Sequence, residues 1–280
     1  SFPEFQVIFN KIPRNLFGNF MKRDLMLIFV AFHPSGDEID QLLHSMQSLP
    51  PEIGYAVAVN DYSPGESVDR LERGADLFIR NSDNLGYGRA VNRLFRCLKD
   101  PPNYLAILNT DLSWRIGTFS VMLRWMRNHL DVSLIVPQIL DPSGHVQKLC
   151  KQHPTVLGLL SRRFLPEFLK PLSLKKYDSW YVMDQFDYSR KFDVPYLSGC
   201  CMFIRASSFI CVGGFDERYF LYLEDADITR SLAKTGRCLH FPDAVVVHGW
   251  GRGNYRSFRL MVVNIVSAFL YFSKWGLSLW

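Results

Sequence analysis

Few of the signatures that assign a chain at sight are present here. The six cysteines (Cys97, Cys150, Cys200, Cys201, Cys211, Cys238) form no CxxC pair and no zinc spacing. Several lie in apolar stretches, where a free thiol behaves as a small hydrophobe, so they read as reduced thiols of a cytosolic protein. No run of about 18 apolar residues is free of charge, and no spanning helix is expected. No secretory leader is evident, as an intracellular catalytic domain requires. GxxxxGK[ST] and GxSxG are both missing, which removes a P-loop and a nucleophile elbow. A net charge of +5 is too small to argue for nucleic acid, though it suits phosphorylated ligands or an anionic membrane surface. There is no internal repeat and no low-complexity segment.

What remains is an ordinary globular composition, 48% hydrophobic and 21% charged. The 280 residues suffice for one large α/β domain or two small ones. An aromatic content of 14% fits a Phe-rich core or rings that stack on bases and sugars. Residues 1–23 show no sustained period and read as an N-terminal extension. From Leu25 the run LMLIFVAF predicts a buried strand. A helix follows with Ile39, Leu42, Leu43 and Met46 on one face, then a strand from Tyr55 to Val59. Strands at 77–80, 104–108 and 133–137 alternate with helices at 89–98 and 118–128. Such alternation argues a mainly parallel sheet with helices on both faces, whose ligands bind beyond the carboxyl ends of the strands. Asn60-Asp61 and Asn109-Thr110-Asp111 both fall at such ends. Residues 151–192 carry Pro, Lys, Arg, Trp and Tyr with little period and read as a surface excursion. Regular structure resumes at 196–205, a helix is expected at 223–232, and a strand at 244–247 ends at His248.

Three constellations carry chemistry. Asp111, at a strand end, either holds a hard divalent cation through oxygen or caps the turn. Glu224, Asp225 and Asp227 form the densest acidic group, flanked by Tyr219, Phe220 and Tyr222. Crowded carboxylates are costly without a cation or a function, although a helix dipole also favours acids in its first turn. His248, followed by a glycine-rich stretch with Arg252, is a ligand or a satisfied structural residue; Arg252, Arg256 and Arg259 could meet phosphate. Asn84-Leu85-Gly86-Tyr87-Gly88 opens a helix in the manner of a GxGxxG fingerprint, but Val91 stands where the third glycine belongs.

Taken in order, AVNDYSPG, NSDNLGYGRAVN, LAILNTDLSW, VPQILDPSGHVQ, LSGCCMFIRASSF, GGFDERYFLYLEDADITRSLAKTG and FPDAVVVH resemble the family 2 glycosyltransferases, and among them the rhamnosyltransferase-like enzymes of bacterial surface polysaccharide synthesis. The likeness runs from about Leu25 to the C-terminal helix. It implies a GT-A fold, an α/β nucleotide-diphospho-sugar transferase with a mainly parallel central sheet flanked by helices. By the same likeness Asn60 and Asp61 lie near the donor base, and Asn84 and Gly86 near the nucleotide. Asp111 matches the last acid of a DxD-like metal motif in which Asn109 replaces the first, and His248 matches a histidine that completes metal coordination. Asp225 of the Glu224-Asp225 pair matches the base toward the acceptor hydroxyl, Glu224 positions it, and Asp227 is the competing carboxylate.

The reaction this implies is inverting transfer of a sugar, rhamnose from dTDP-rhamnose first, from a nucleoside diphosphate to a saccharide acceptor, in a chain needing Mg²⁺ or Mn²⁺. The implied division is an extension (1–23), a GT-A domain (24–255, donor half to about 145, acceptor half from about 146) and a C-terminal helical segment (256–280). A lipid-linked acceptor would hold a cytoplasmic protein peripherally at the inner membrane face. Residues 157–176, and the stripe Met261, Val262, Ile265, Phe269 and Phe272 of the last helix, are the candidate contacts; that helix packs either on the domain or on lipid. No nucleic-acid partner is expected. The rival readings are an oxidoreductase acting on nucleotide sugars, with NAD(P) at Gly86-Gly88, and a non-catalytic nucleotide-sugar-binding subunit.

Overall fold

The computed structural model describes residues 23–47, 49–249 and 258–280. Almost all of the N-terminal extension, together with Arg252 and Arg256, lies outside them.

Apolar runs set the centre of the sheet. β1 (Leu25–Ala31), β2 (Ile53–Val59) and β4 (Tyr104–Leu108) are buried along nearly their whole length, as strands covered on both faces must be. With β3 (Leu77–Arg80) they pair in parallel in the order β3-β2-β1-β4. Parallel neighbours need crossovers, and α1 (Gly36–Met46) and α2 (Tyr87–Cys97) supply two of them. Ser35 and Glu38 close a capping box at the start of α1.

Beyond β4 antiparallel strands enter the sheet. β5 (Leu112–Trp114) and α3 (Thr118–Arg127) lead into β6 (Val132–Leu140). The excursion that follows is more ordered than its sequence suggests: it contains α4 (Val156–Phe164), capped by Thr155, and α5 (Leu172–Tyr181). It leads by way of β7 (Phe192–Asp193) back to the rim where β4 ends. β8 (Cys201–Arg205) therefore runs back antiparallel to β4 and to β6. After α6 (Ala206–Cys211) and α7 (Glu224–Leu232), β9 (Arg237–His248) lies parallel to β6 and antiparallel to β5 and β7. The whole order is β3-β2-β1-β4-β8-β6-β9-β5, with β7 on β9.

The ends of β1, β2, β3, β4, β6 and β9 and the starts of β5 and β8 share one rim. α8 (Phe258–Trp275) closes one side of it. Ser267 and Tyr271, one turn apart, form its buried face. Tyr271 joins Tyr196, Tyr219, Leu223 and Ala226 in a small second core, while Phe258, Val262, Ile265, Val266 and Phe269 stay exposed. The helix thus packs on the domain and still presents an apolar face. All six cysteines are free, and no helix among the described residues is long and apolar enough to cross a membrane.

Candidate active site

Asp111 and His248 meet because of strand register. β5 pairs with β9 so that Leu112 lies opposite His248, which leaves Asp111, one residue earlier, at its side. His248 Nε2 stands 3.3 Å from Asp111 Oδ2, and Gly249 N donates to Asp111 O at 2.9 Å. Gln147, brought over by the turn after β6, holds the ring: its Oε1 lies 3.2 Å from His248 Nδ1, and its Nε2 donates to His248 O at 3.3 Å. In the tautomer whose Nδ1–H donates to Gln147, the Nε2 lone pair faces the carboxylate, an arrangement that a shared cation relieves. The other carboxylate oxygen, Asp111 Oδ1, is buried with no hydrogen-bond partner. A carboxylate and an imidazole, one oxygen unused, fit a divalent cation whose remaining positions go to phosphate oxygens and water. Among the described residues no three His, Cys, Asp or Glu side chains group to hold a metal unaided. Glu38 of α1 also faces this corner: burial raises its carboxyl, and the charge of Asp111 adds to the shift.

The second acidic site is built by strain. Tyr222 and Leu223 take left-handed φ values of 70° and 63° just before α7. Two such non-glycine residues cost on the order of 1–3 kcal/mol each and persist only where their surroundings over-determine them. The pinning is visible. Tyr87 N, at the start of α2, donates to Phe220 O, and Ser267 Oγ of α8 donates to Leu221 O at 2.8 Å. Gly86, at φ 83°, lies so close that a Cβ there would overlap the Phe220 carbonyl, and only glycine fits.

The three acids of α7 then separate by environment. Asp227 is taken up by α8: Lys274 Nζ reaches it at 2.8 Å and Trp275 Nε1 at 2.7 Å. Asp225 receives Tyr196 OH and Ala226 N on Oδ1, and Gly199 N on Oδ2 at 3.0 Å. With two lone pairs per oxygen, one on Oδ2 stays free to accept a proton. Glu224 is buried, with Oε2 unpartnered. Burial first, and then the charge of Asp225, push its carboxyl well above the usual carboxylate range. The pair thus offers an acid that keeps its proton beside a carboxylate that can take one.

One short segment joins the two sites. Cys200 O accepts from Asn109 N, while Gly199 N donates to Asp225. The buried Cys200 thiol is pushed up to about 12, mainly by burial, with the charges of Asp111 and Asp225 both contributing. A Cβ on Gly199 would stand 3.0 Å from that of Asp225, so the approach is close.

At the end of β2 the predicted pair splits. The Asn60 side chain is buried and fully engaged, with Nδ2 to Asn84 Oδ1 and Gly86 O and Oδ1 from Asn81 Nδ2. Asn84 Oδ1 also receives Gly86 N. Asn60, Asn84 and Gly86 therefore tie the strand end to the start of α2. Asp61 instead stands exposed at φ 53°, its Oδ2 3.1 Å from His33 Nε2, and Glu66 binds the other ring nitrogen. The bond to Asp61 raises His33 most. Gly88 faces Phe215, 2.8 Å from where a Cβ would stand, so the glycine pair accommodates protein and not a dinucleotide.

Comparison with known proteins decides among the readings. The sequence model of Glycosyl transferase family 2 matches residues 27–213. The chain belongs to that family. It is 29% identical over 243 residues to an N-acetylglucosaminyl-diphospho-decaprenol L-rhamnosyltransferase of Mycobacterium tuberculosis, covering 80% of this chain and 76% of the relative. It is 32% identical over 83 residues to the rhamnosyltransferase WbbL of Escherichia coli K12, covering 29% of this chain and 31% of that one. A mannosyltransferase from Pyrobaculum calidifontis, solved with GDP-Man and Mn²⁺, shares the fold with a TM-score of 0.59 at 14% identity, over 91% of this chain and 64% of that one. The architecture is the GT-A glycosyltransferase fold.

Several residues of this glycosyltransferase site escaped the sequence reading. Gly199 and Gln147 lie in quoted motifs and Tyr196 immediately precedes one, but nothing local marks them as partners of Asp225 or His248. A recess of about 490 Å³ opens at the opposite end of the strands beside Asp24, Tyr104, Arg127 and Arg205. Its charges are already satisfied, Arg127 by Asp24 and Arg205 by the carbonyls of Met126, His129 and Val132. The acidic residues singled out in the sequence lie at the other rim.

Proposed function

We propose that this glycosyltransferase moves a sugar, with rhamnose from dTDP-rhamnose as the first candidate, from a nucleoside diphosphate to a lipid-linked saccharide during surface polysaccharide synthesis. The observation that carries the reading is the convergence of Asp111–His248 and Glu224–Asp225 on the two ends of Gly199-Cys200. The choice of sugar and acceptor rests on the likeness to the mycobacterial rhamnosyltransferase.

Asp225 Oδ2 takes the proton of the acceptor hydroxyl as that oxygen attacks the anomeric carbon. The bond to the diphosphate oxygen breaks, and its electron pair leaves with the nucleoside diphosphate. With one base and no protein nucleophile in line, the single displacement inverts the anomeric centre. Asp111 and His248 would hold Mg²⁺ or Mn²⁺, whose charge stabilises the leaving diphosphate. Tyr196 and Gly199 fix the base, and Glu224, still protonated, keeps a second negative charge away from it. Release of nucleoside diphosphate from a panel of sugar donors, with and without acceptor, tests the proposal.

Glu224 also links pH to stability. Its folded-state pKa is raised, so the effect is absent below the ordinary carboxylate range; above that range the unfolded chain releases a proton that the folded chain keeps. Stability therefore falls as pH rises towards the raised value. Glu224→Gln should raise stability by about 1–3 kcal/mol at neutral pH and remove the alkaline limb of the pH–rate profile. Thermal denaturation checks the first part, where an unchanged or lower Tm would contradict it.

We further propose that the transferase binds membranes peripherally. Phe258, Val262, Ile265 and Phe269 of α8 are exposed, as are Phe168 (81%), Leu169 and Leu172 near Lys175 and Lys176. The two stretches are linked where Val156 N and Leu157 N donate to Ser278 O and Leu279 O. Apolar side chains beside lysines suit an anionic interface. Co-sedimentation with anionic vesicles should weaken as salt rises; no binding at low salt would remove the contact.

A further inference from the structure

Two cations, Lys151 and Arg162, lie near Asp225. Lys151 and Tyr196 exchange backbone hydrogen bonds, and Lys151 Nζ lies 4.5 Å from the Tyr196 ring centroid. The same tyrosine donates its hydroxyl to Asp225 Oδ1 at 3.0 Å. Arg162, exposed on α4, places its guanidinium 5.9 Å from the ring of the buried Tyr181. Gln152 N donates to Tyr181 O, so the segment after Lys151 is tied to that ring as well. Among the described residues neither head group has an ion pair or a hydrogen bond. Several other cations do have acidic partners, among them Arg23, Arg80, Arg127, Lys148, Lys191, Arg218 and Arg237. So does Lys170 of the same excursion, paired with Asp178 at 2.6 Å.

We propose that Lys151 and Arg162 form an anion subsite on the acceptor side of Asp225, which takes the diphosphate of a lipid-linked sugar acceptor. The inference rests on the glycosyl-transfer reading above and names the part of the acceptor that this site recognises. Burial lowers the Lys151 ammonium most, the Asp225 carboxylate opposes this, and repulsion from the like charge of Arg162 lowers it further. A bound diphosphate removes that repulsion through charge-assisted hydrogen bonds. The donor diphosphate belongs at Asp111 and His248, across Gly199-Cys200. An anion beside Tyr196 and Asp225 therefore belongs to the molecule whose hydroxyl Asp225 meets. In a sugar 1-diphosphate, phosphate and attacking hydroxyl are a ring's width apart. Arg162 is also on the helix that leads from the chain's last residues towards the exposed Phe168 and Leu169, where a lipid tail would lie.

The test is equilibrium binding of two acceptors in detergent: an N-acetylglucosaminyl diphosphate carrying a short prenyl chain, and a neutral octyl N-acetylglucosaminide. Lys151→Gln and Arg162→Gln should each weaken the diphosphate acceptor by about 10- to 100-fold, with a much smaller effect on the neutral glycoside. Lys151→Arg should recover most of the loss, and the exposed Arg162 provides a variant that does not threaten folding. Equal affinity of the wild type and both glutamine variants for the diphosphate acceptor would overturn the subsite, as would equal losses for both acceptors. Loss of anionic-vesicle binding with acceptor affinity unchanged would assign the two cations to lipid headgroups and overturn it too. Binding is read without turnover, so a diphosphate-selective loss in a protein that transfers no sugar would uphold the subsite and reject the transfer reading.

Discussion

Asp225→Asn should lower the rate of transfer by about 10²–10⁴-fold while leaving donor affinity close to wild type. Asparagine keeps the shape of the side chain, and its amide oxygen can still accept two of the bonds now made by Tyr196, Gly199 and Ala226. What it cannot do is take a proton. The comparison that gives this prediction its force is Asp227→Asn. Asp227 lies two residues on in the same helix turn, but its oxygens face Lys274 and Trp275. Its loss should destabilise the docking of α8 by about 1–3 kcal/mol, because a buried partner of a charged group is removed. Activity of the folded fraction should persist. Turnover near wild type in Asp225→Asn, with Asp227→Asn folded and dead, would reverse the assignment.

Asp111→Ala should cost the reaction about 10²–10⁴-fold and also weaken nucleoside diphosphate binding, since several kcal/mol of charge stabilisation are lost. The two effects differ from those of Asp225→Asn, which spares binding. Titration of Mn²⁺ in the presence of nucleoside diphosphate gives a readout apart from turnover: affinity should fall sharply in Asp111→Ala and less in His248→Ala, because a carboxylate brings charge and an imidazole does not. Unchanged Mn²⁺ affinity in both variants, together with full activity in excess chelator, would remove the cation from this corner.

How much of this was legible beforehand depends on the range of the interactions involved. β1, β2 and β4 declare themselves because strands covered on both faces are uninterrupted apolar runs, and the start of α7 is marked by its acids. The lower half of β9 is hidden because Pro242 and Asp243 interrupt it, where its register against β6 shifts between Pro137 and Gln138. Helices α4 and α5 are hidden by the prolines around them and by faces that are only partly buried. Side-chain roles were hardest wherever the partner is distant in sequence. Nothing near Asp227 shows that Lys274 will claim it, and nothing near Asn60 shows that Asn81 and Asn84 will take up its amide. The Asp111–His248 meeting, 137 positions apart, was implied by family resemblance and depends physically on one ladder between β5 and β9. Lys151 left no local signal at all.

The most direct measurement is release of nucleoside diphosphate by the wild-type protein from UDP-, dTDP- and GDP-sugars, with Mn²⁺ or Mg²⁺, read with and without a lipid-linked N-acetylglucosaminyl diphosphate. The account predicts acceptor-dependent release from one donor, first among them dTDP-rhamnose, with a product of opposite anomeric configuration. Release from none of the donors would contradict it, and so would a product that retains the configuration of the donor.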